Sequence, residues 1–76
     1  MAYPNPVQSE LTIALPSTVT GTVSYRVFTV QGAEVSKGIL SNGFAKLSVL
    51  KWEAGIYLLE ITDDAGYKSY RQIIKQ

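Results

Sequence analysis

Apolar and polar side chains alternate along most of the chain, and this alternation predicts β-strands. In residues 55–62, Tyr57, Leu59 and Ile61 occupy every second position, which is the period of a strand with one face on a core. Residues 63–66, Asp-Asp-Ala-Gly, have the chemistry of a turn. Residues 67–76 then resume an extended pattern, so the last third of the sequence predicts a β-hairpin.

The same period continues upstream of the hairpin. It predicts strands at residues 9–15, 22–30, 33–40 and 44–49, separated by segments rich in Pro, Gly and Asn. Phe28 and Val30 fall on the opposite parity from Val27, which predicts a bulge or bend near Phe28. No segment has the apolar stripe of a helix. Six strands, or seven if residues 3–6 add an edge, predict an all-β fold, an antiparallel β-sandwich.

The inward positions of the predicted strands define one core. It comprises Leu11, Ile13, Val23, Tyr25, Val27, Val35, Leu47, Val49, Tyr57, Leu59 and Ile61. Trp52 lies in the connection at residues 50–54 and is expected to cap an open end of the sandwich. Gly55 follows this tight connection, where a positive φ or a close approach by a neighbouring strand is expected.

Composition indicates one small folded domain of 76 residues, with 46% hydrophobic and 17% charged residues. Met1 and Ala2 are interpreted as an initiator and cloning junction, so the predicted domain spans residues 3–76 and is expected to come from the end of a larger protein. The alternative is a complete small protein that begins at Met1. The net charge of +1 does not favour nucleic-acid binding. No apolar run approaches the roughly 20 residues of a membrane helix, and no signal peptide is recognised at residue 1.

The chain has no cysteine and no histidine. These absences remove the usual nucleophile–base pairs and the commonest metal ligands, so we expect no enzyme activity and no cofactor. Asp63 and Asp64 are the only adjacent carboxylates, and they lack the further oxygen ligands of a calcium loop. No catalytic, cofactor-binding or metal site is therefore predicted.

The last predicted strand is basic, because Lys68, Arg71 and Lys75 are accompanied by no acid between residues 67 and 76. The simpler interpretation is protection of an exposed sheet edge against aggregation. The alternative is an electrostatic contact with an acidic partner. Two adjacent branched residues, Ile73 and Ile74, follow Arg71, and alternation can bury only one of them.

Four short motifs stand in order along the chain. They are Pro4-Asn5-Pro6, Gly32-x-x-Val35, Trp52-x-x-Gly55-x-Tyr57 and, at the end, Ile73-Ile74-Lys75. Each motif is common by itself, but together and at this spacing they resemble the type A C-terminal sorting domain of the type IX secretion system of Bacteroidetes. Trp52 stands where that family usually has Leu, and Tyr70-Arg71-Gln72 replaces a run that is often richer in lysine.

The resemblance implies an immunoglobulin-like β-sandwich of six to seven strands that acts as a secretion address. Such a domain directs an N-terminal cargo through the periplasm and across the outer membrane to the cell surface. The implied partners are the type IX translocon, its outer-membrane shuttle protein and a surface sortase that removes the domain. The implied recognition residues are the motif positions Pro4, Asn5, Pro6, Gly32, Val35, Gly55, Tyr57, Arg71, Ile73, Ile74 and Lys75.

A second class of function remains open from the residues alone. A non-catalytic accessory module of a secreted enzyme, either a fibronectin III-like linker or a carbohydrate-binding module, would share the sandwich fold. A sugar-binding module would need a row of exposed aromatic rings on one sheet face, whereas Tyr25 and Tyr57 fall at core positions. Small sandwiches with open edges can also pair, so a weak homodimer is a further expectation.

Overall fold

The computed structural model describes residues 2–4, 6–15 and 21–76. These residues form an all-β fold of seven strands, with no helix among them. The strands are β1 (Ala2–Tyr3), β2 (Glu10–Ala14), β3 (Val23–Thr29), β4 (Glu34–Leu40), β5 (Phe44–Ser48), β6 (Gly55–Thr62) and β7 (Lys68–Lys75). The prediction of six to seven strands is confirmed. The seventh, β1, is an edge strand that includes Tyr3 but not Pro4 or Pro6 of the predicted segment.

The strands make two antiparallel sheets, one in the order β1-β2-β5 and the other in the order β4-β3-β6-β7. The chain passes between the sheets after β2, β4 and β5, whereas β1–β2, β3–β4 and β6–β7 are sequential pairs within one sheet. The predicted hairpin is formed by β6 and β7, whose register runs from Gly55 opposite Lys75 to Thr62 opposite Lys68. The antiparallel sandwich predicted from the alternation is confirmed.

The core lies between the two sheets and agrees with the alternation, with one exception. Ten of the eleven predicted core residues are buried. The exception is Val35, which is 41% exposed, so its assignment to the core was wrong. Three further hydrophobic residues are buried that were not assigned to the core: Val7, Leu40 and Ile73.

A register shift explains the exposure of Val35. Val27 lies opposite Ser36 and Phe28 lies opposite Glu34, so Val35 is an extra residue with no partner on β3. A bulge residue of this kind is displaced from the regular alternation of the strand. The bulge predicted near Phe28 is therefore present, but its additional residue belongs to β4, because β3 keeps a regular register with β6.

The turns follow local side-chain chemistry. Asp63 Oδ1 accepts hydrogen bonds from the backbone N–H groups of Ala65 and Tyr67, at 3.0 and 2.9 Å, which closes the β6–β7 turn. Gly66 adopts a φ of 89° in this turn. Asn42 and Gly43, between β4 and β5, both have positive φ. The turn interpretation of the acidic pair is thus supported by direct hydrogen bonds.

The connection before β6 is organised by Trp52 and Tyr57. Their ring centroids lie 4.9 Å apart, and the Tyr57 hydroxyl donates a 2.6 Å hydrogen bond to the Glu53 carbonyl. Gly55 has a φ of 152°, as its position suggested, but no neighbouring atom lies within 4 Å of the Cβ position. The close approach occurs instead at Gly38, where a Cβ atom would stand 2.7 Å from the Tyr25 hydroxyl oxygen.

Candidate recognition surface

The N-terminal motif leads directly to the end of β7. Pro4 and Pro6 are exposed, and Asn5 lies outside the described residues. The next residue, Val7, is fully buried and pairs in parallel with Lys75. Its N–H donates to the Ile74 carbonyl at 2.8 Å, and its carbonyl accepts from the Gln76 N–H at 2.9 Å. The first and last motifs of the sequence are therefore adjacent in space.

The C-terminal motif divides between the two faces of β7. Ile73 is fully buried and lies opposite Tyr57, whereas Ile74 is 40% exposed and lies opposite Ile56. Alternation thus buries one isoleucine of the pair and leaves the other accessible. Arg71 is exposed. Among these residues, Arg71 and Ile74 are the two that can be contacted without unfolding the strand.

Lys75 does not belong to an exposed basic surface. It is buried, and its Nζ donates a 2.7 Å hydrogen bond to the main-chain oxygen of Gln76. The cause is the parallel bridge with Val7, which covers this end of the β7 edge. The interpretation of Lys68, Arg71 and Lys75 as three equivalent exposed charges on an open edge is therefore corrected to Lys68 and Arg71.

The residues of the two central motifs form a turn, a bulge and the start of a strand. Gly32, with a φ of 95°, closes the turn between β3 and β4 by donating its N–H to the Thr29 carbonyl. Val35 is the bulge residue that follows. Gly55 begins β6, and Tyr57 holds the preceding connection. Gly32 and Tyr57 line one groove, and Gly55 lies opposite Lys75 at the end of β7.

Charge is distributed unevenly between the two sheets. The four strands of the β4-β3-β6-β7 sheet carry five cationic side chains and two acidic ones, Glu34 and Glu60. The rest of the sequence has two cations, Lys46 and Lys51, and four acids. Although the net charge of the whole chain is near zero, the strands of the β4-β3-β6-β7 sheet together carry more cations than acids.

A cluster of charges covers one half of the outer face of this sheet. Glu60 is buried there, and its Oε1 lies 3.5 Å from Lys68 Nζ and 3.9 Å from Arg26 Nη1. Its Oε2 accepts a hydrogen bond from the Tyr70 hydroxyl at 3.1 Å. Arg26 also pairs with Glu34 at 3.0 Å. The ion pairs offset the charge of the buried carboxylate, although its Oε1 accepts no hydrogen bond. Together these contacts join side chains of four adjacent strands, β4, β3, β6 and β7. The sequence pattern had placed Glu60 among outward positions without indicating its burial.

The other half of the outer face is apolar. Register places Phe28 opposite Leu58, and Ile56 opposite Ile74. We call the outward residues Phe28, Val30, Ile56, Leu58 and Ile74 the apolar strip; all except Phe28 are at least 39% exposed, and Phe28 is half-buried. Between β3 and β6 the strip contains an open groove of about 420 Å³, which Gly32, Tyr57 and Gln72 also line. Sequence reasoning missed this surface, because each member resembled an ordinary outward position of its own strand.

The described residues do not form a metal site. They contain no cluster of three or more ligating side chains that could hold a metal ion. Within the same part of the chain, no helix is long and apolar enough to cross a membrane. Four exposed aromatic side chains, Tyr3, Phe44, Tyr67 and Tyr70, are distributed over both sheets and a turn. Trp52 packs against the core.

Comparison with protein families identifies the chain. A family model described as the secretion system C-terminal sorting domain matches residues 1–76, which is the whole sequence. The protein therefore belongs to the family of type IX secretion C-terminal sorting domains, as its motifs suggested. Comparisons with curated proteins and with solved structures found no significant match. Membership of this family implies a cargo protein and export across the outer membrane to the surface.

Proposed function

We propose that this domain is a non-enzymatic address that is read in its folded state. The type IX translocon and its outer-membrane shuttle protein bind the domain in the periplasm and carry the attached cargo to the surface. A surface sortase then removes the domain from the cargo. The family match along the whole chain supports the sorting role. The absence of cysteine and histidine from the sequence is consistent with a domain that binds and does not catalyse.

The observation that carries this proposal is that some side chains of β7 are buried while others are accessible. Ile73 and Lys75 are buried and hold the strand, whereas Arg71 and Ile74 are accessible. A receptor can therefore read the end of the chain from the folded sandwich. Deletion of residues 73–76 would not isolate the accessible residues, because it would also remove the core residue Ile73 and the pairing partner of Val7.

The test is export of a reporter protein fused in front of this domain in a type IX-competent cell. We expect the reporter at the surface, with a mass that shows loss of the domain, and in the periplasm of a translocon-deficient strain. A reporter that reaches the surface equally in both strains would contradict the sorting function. A surface reporter that retains the domain would contradict the removal step alone.

Charge reversal provides the matched comparison within β7. Arg71→Glu should reduce export and change thermal stability little, because exposed, unpaired charges contribute little to folding. Lys75→Glu should lower stability as well, since it places an acid beside the oxygen that Lys75 Nζ now contacts. Export of the Arg71→Glu fusion at the level of the unmodified fusion would exclude Arg71 as a recognition residue.

A further inference from the structure

The turn between β4 and β5 contains a pair of residues that can react with each other. The sequence has two asparagines, and Asn42 is followed by Gly43, whose backbone nitrogen is unhindered because glycine has no Cβ. Asn5 is followed by Pro6, whose nitrogen has no hydrogen to release. Asn42 is exposed. It is therefore the asparagine of this chain whose side-chain amide the next backbone nitrogen can displace.

The folded turn holds the two reacting groups apart. Asn42 has a φ of 55°, in the left-handed region. In that region ψ is about +47°, which sets the torsion from the Asn42 Cβ to the Gly43 nitrogen across the Cα–C bond at roughly 170°. Closing a five-membered ring between Asn42 Cγ and the Gly43 nitrogen requires this torsion to be near zero. The nitrogen therefore faces away from the side chain that it would attack.

Two backbone hydrogen bonds oppose the rotation that would bring the groups together. The Phe44 N–H donates to the Ser41 carbonyl at 3.0 Å and closes the turn. The Leu15 N–H donates to the Gly43 carbonyl at 2.8 Å and joins the turn to the residue after β2. Rotation of Asn42 about its Cα–C bond by half a circle reorients Gly43 and is incompatible with both bonds. Ring closure consequently requires that the turn first opens.

We propose that Asn42 is a deamidation site that the folded turn keeps closed and that local opening of the β4–β5 turn makes reactive. In the opened turn the Gly43 nitrogen forms a bond to Asn42 Cγ, the Cγ–Nδ2 bond breaks, and the Gly43 proton leaves with the amide as ammonia. Water then opens the succinimide ring: its hydroxyl joins a ring carbonyl carbon, and its hydrogen returns to the Gly43 nitrogen. Addition at Cγ gives aspartate, and addition at the main-chain carbonyl gives isoaspartate.

The two products fit the turn differently. Aspartate keeps the main chain of asparagine and also adopts the left-handed region, so the turn can close again with one additional negative charge. Isoaspartate places the side-chain methylene in the main chain, which lengthens the two-residue connection between Ser41 and Phe44. The hydrogen bond that closes the turn is then lost. The modification therefore leaves a permanent record that the turn has opened.

Reaction rates in the folded and unfolded chain test the gating. The domain is incubated at mildly alkaline pH in buffer and in guanidinium chloride below and above its unfolding transition. Trypsin then releases residues 38–46, between Lys37 and Lys46, and mass spectrometry measures the exchange of amide for carboxyl. We expect conversion in buffer to be at least about tenfold slower than above the transition, which requires an opening free energy of about 1.4 kcal/mol.

Denaturant below the transition distinguishes local opening from global unfolding. We expect the rate there to remain at the buffer value, because opening one turn exposes little surface. A rate that rises at least about tenfold for each molar of denaturant would overturn local opening, since that slope belongs to global unfolding. Equal rates in buffer and above the transition would overturn the closed geometry. No conversion above the transition would overturn Asn42 as a deamidation site.

The products provide a second measurement. The isoaspartyl form is prepared in guanidinium chloride, separated by chromatography, refolded and compared with the parent and with Asn42→Asp by circular dichroism. We expect Asn42→Asp to melt at the temperature of the parent and the isoaspartyl form to melt lower. An isoaspartyl form as stable as the parent would overturn the conclusion that the turn cannot accommodate the longer connection.

Discussion

The adjacent pair Ile73 and Ile74 allows a quantitative test of how β7 is built. Both residues are isoleucines on one strand, but Ile73 is fully buried in the core and Ile74 is 40% exposed. Substitution by alanine removes three carbon atoms in each case. At about 0.8 kcal/mol for each buried carbon, the transfer loss is about 2.4 kcal/mol at Ile73 and roughly 1.4 kcal/mol at Ile74.

A cavity adds to the cost at only one of the two positions. The space left by Ile73→Ala is enclosed, which raises the expected loss to about 3–4 kcal/mol, whereas solvent fills the space left by Ile74→Ala. A domain of this length has a total unfolding free energy of about 4–11 kcal/mol. Ile73→Ala should therefore consume a large part of the stability, and its melting temperature should fall by at least about 12 °C.

The assay is urea unfolding of the two variants and the parent domain, followed by circular dichroism. We expect a much lower midpoint for Ile73→Ala, a smaller decrease for Ile74→Ala, and an unchanged dependence on urea concentration for both. If the two unfolding free energies differ by less than about 1 kcal/mol, the assignment of these residues to opposite faces is refuted. In the reporter assay the order should be reversed among folded variants, because the accessible residue is the one that a receptor contacts.

Three other predictions concern backbone geometry and surface charge. Gly38→Ala should cost about 1–3 kcal/mol, since the new Cβ would meet the buried Tyr25 ring; an unchanged melting temperature would contradict this close contact. Gly55→Val should destabilise the domain more than Gly43→Val, because a φ of 152° is less accessible to other residues than the 73° of Gly43; equal melting temperatures would contradict the ranking. Arg71→Glu should change the unfolding free energy by no more than about 0.5 kcal/mol, and a larger loss would reveal a structural role.

The sequence by itself determined the strands, their turns and most of the inward faces. A period of two restricts the pairing register of a strand, because shifting the register by one residue would expose every apolar side chain that faces the core. For this reason Leu59, Tyr57 and Val27 could be assigned to the core without coordinates. The family motifs also follow from the linear order of residues, as the match to residues 1–76 confirms.

Several features depended on which elements meet in space. Val35 leaves the core because β3 and β4 pair with an extra residue on one side, and the alternation of β4 alone does not contain that offset. Val7 is buried because the N-terminal segment returns to the last strand. Two residues in a row, Ile73 and Ile74, fit either register locally, and only the pairing with β6 decides which one faces inward.

The burial of Lys75 and the composition of the apolar strip are likewise properties of the tertiary structure. The charge of Lys75 could be read from the sequence, but its burial follows from a bridge to a residue 68 positions away. The apolar strip takes its members from β3, β6 and β7 and from Val30 after β3, and each of them occupies an ordinary outward position in its own segment. Alternation specifies the face of a strand, whereas a contiguous apolar surface arises when several such faces are placed side by side, and that arrangement is fixed by long-range pairing.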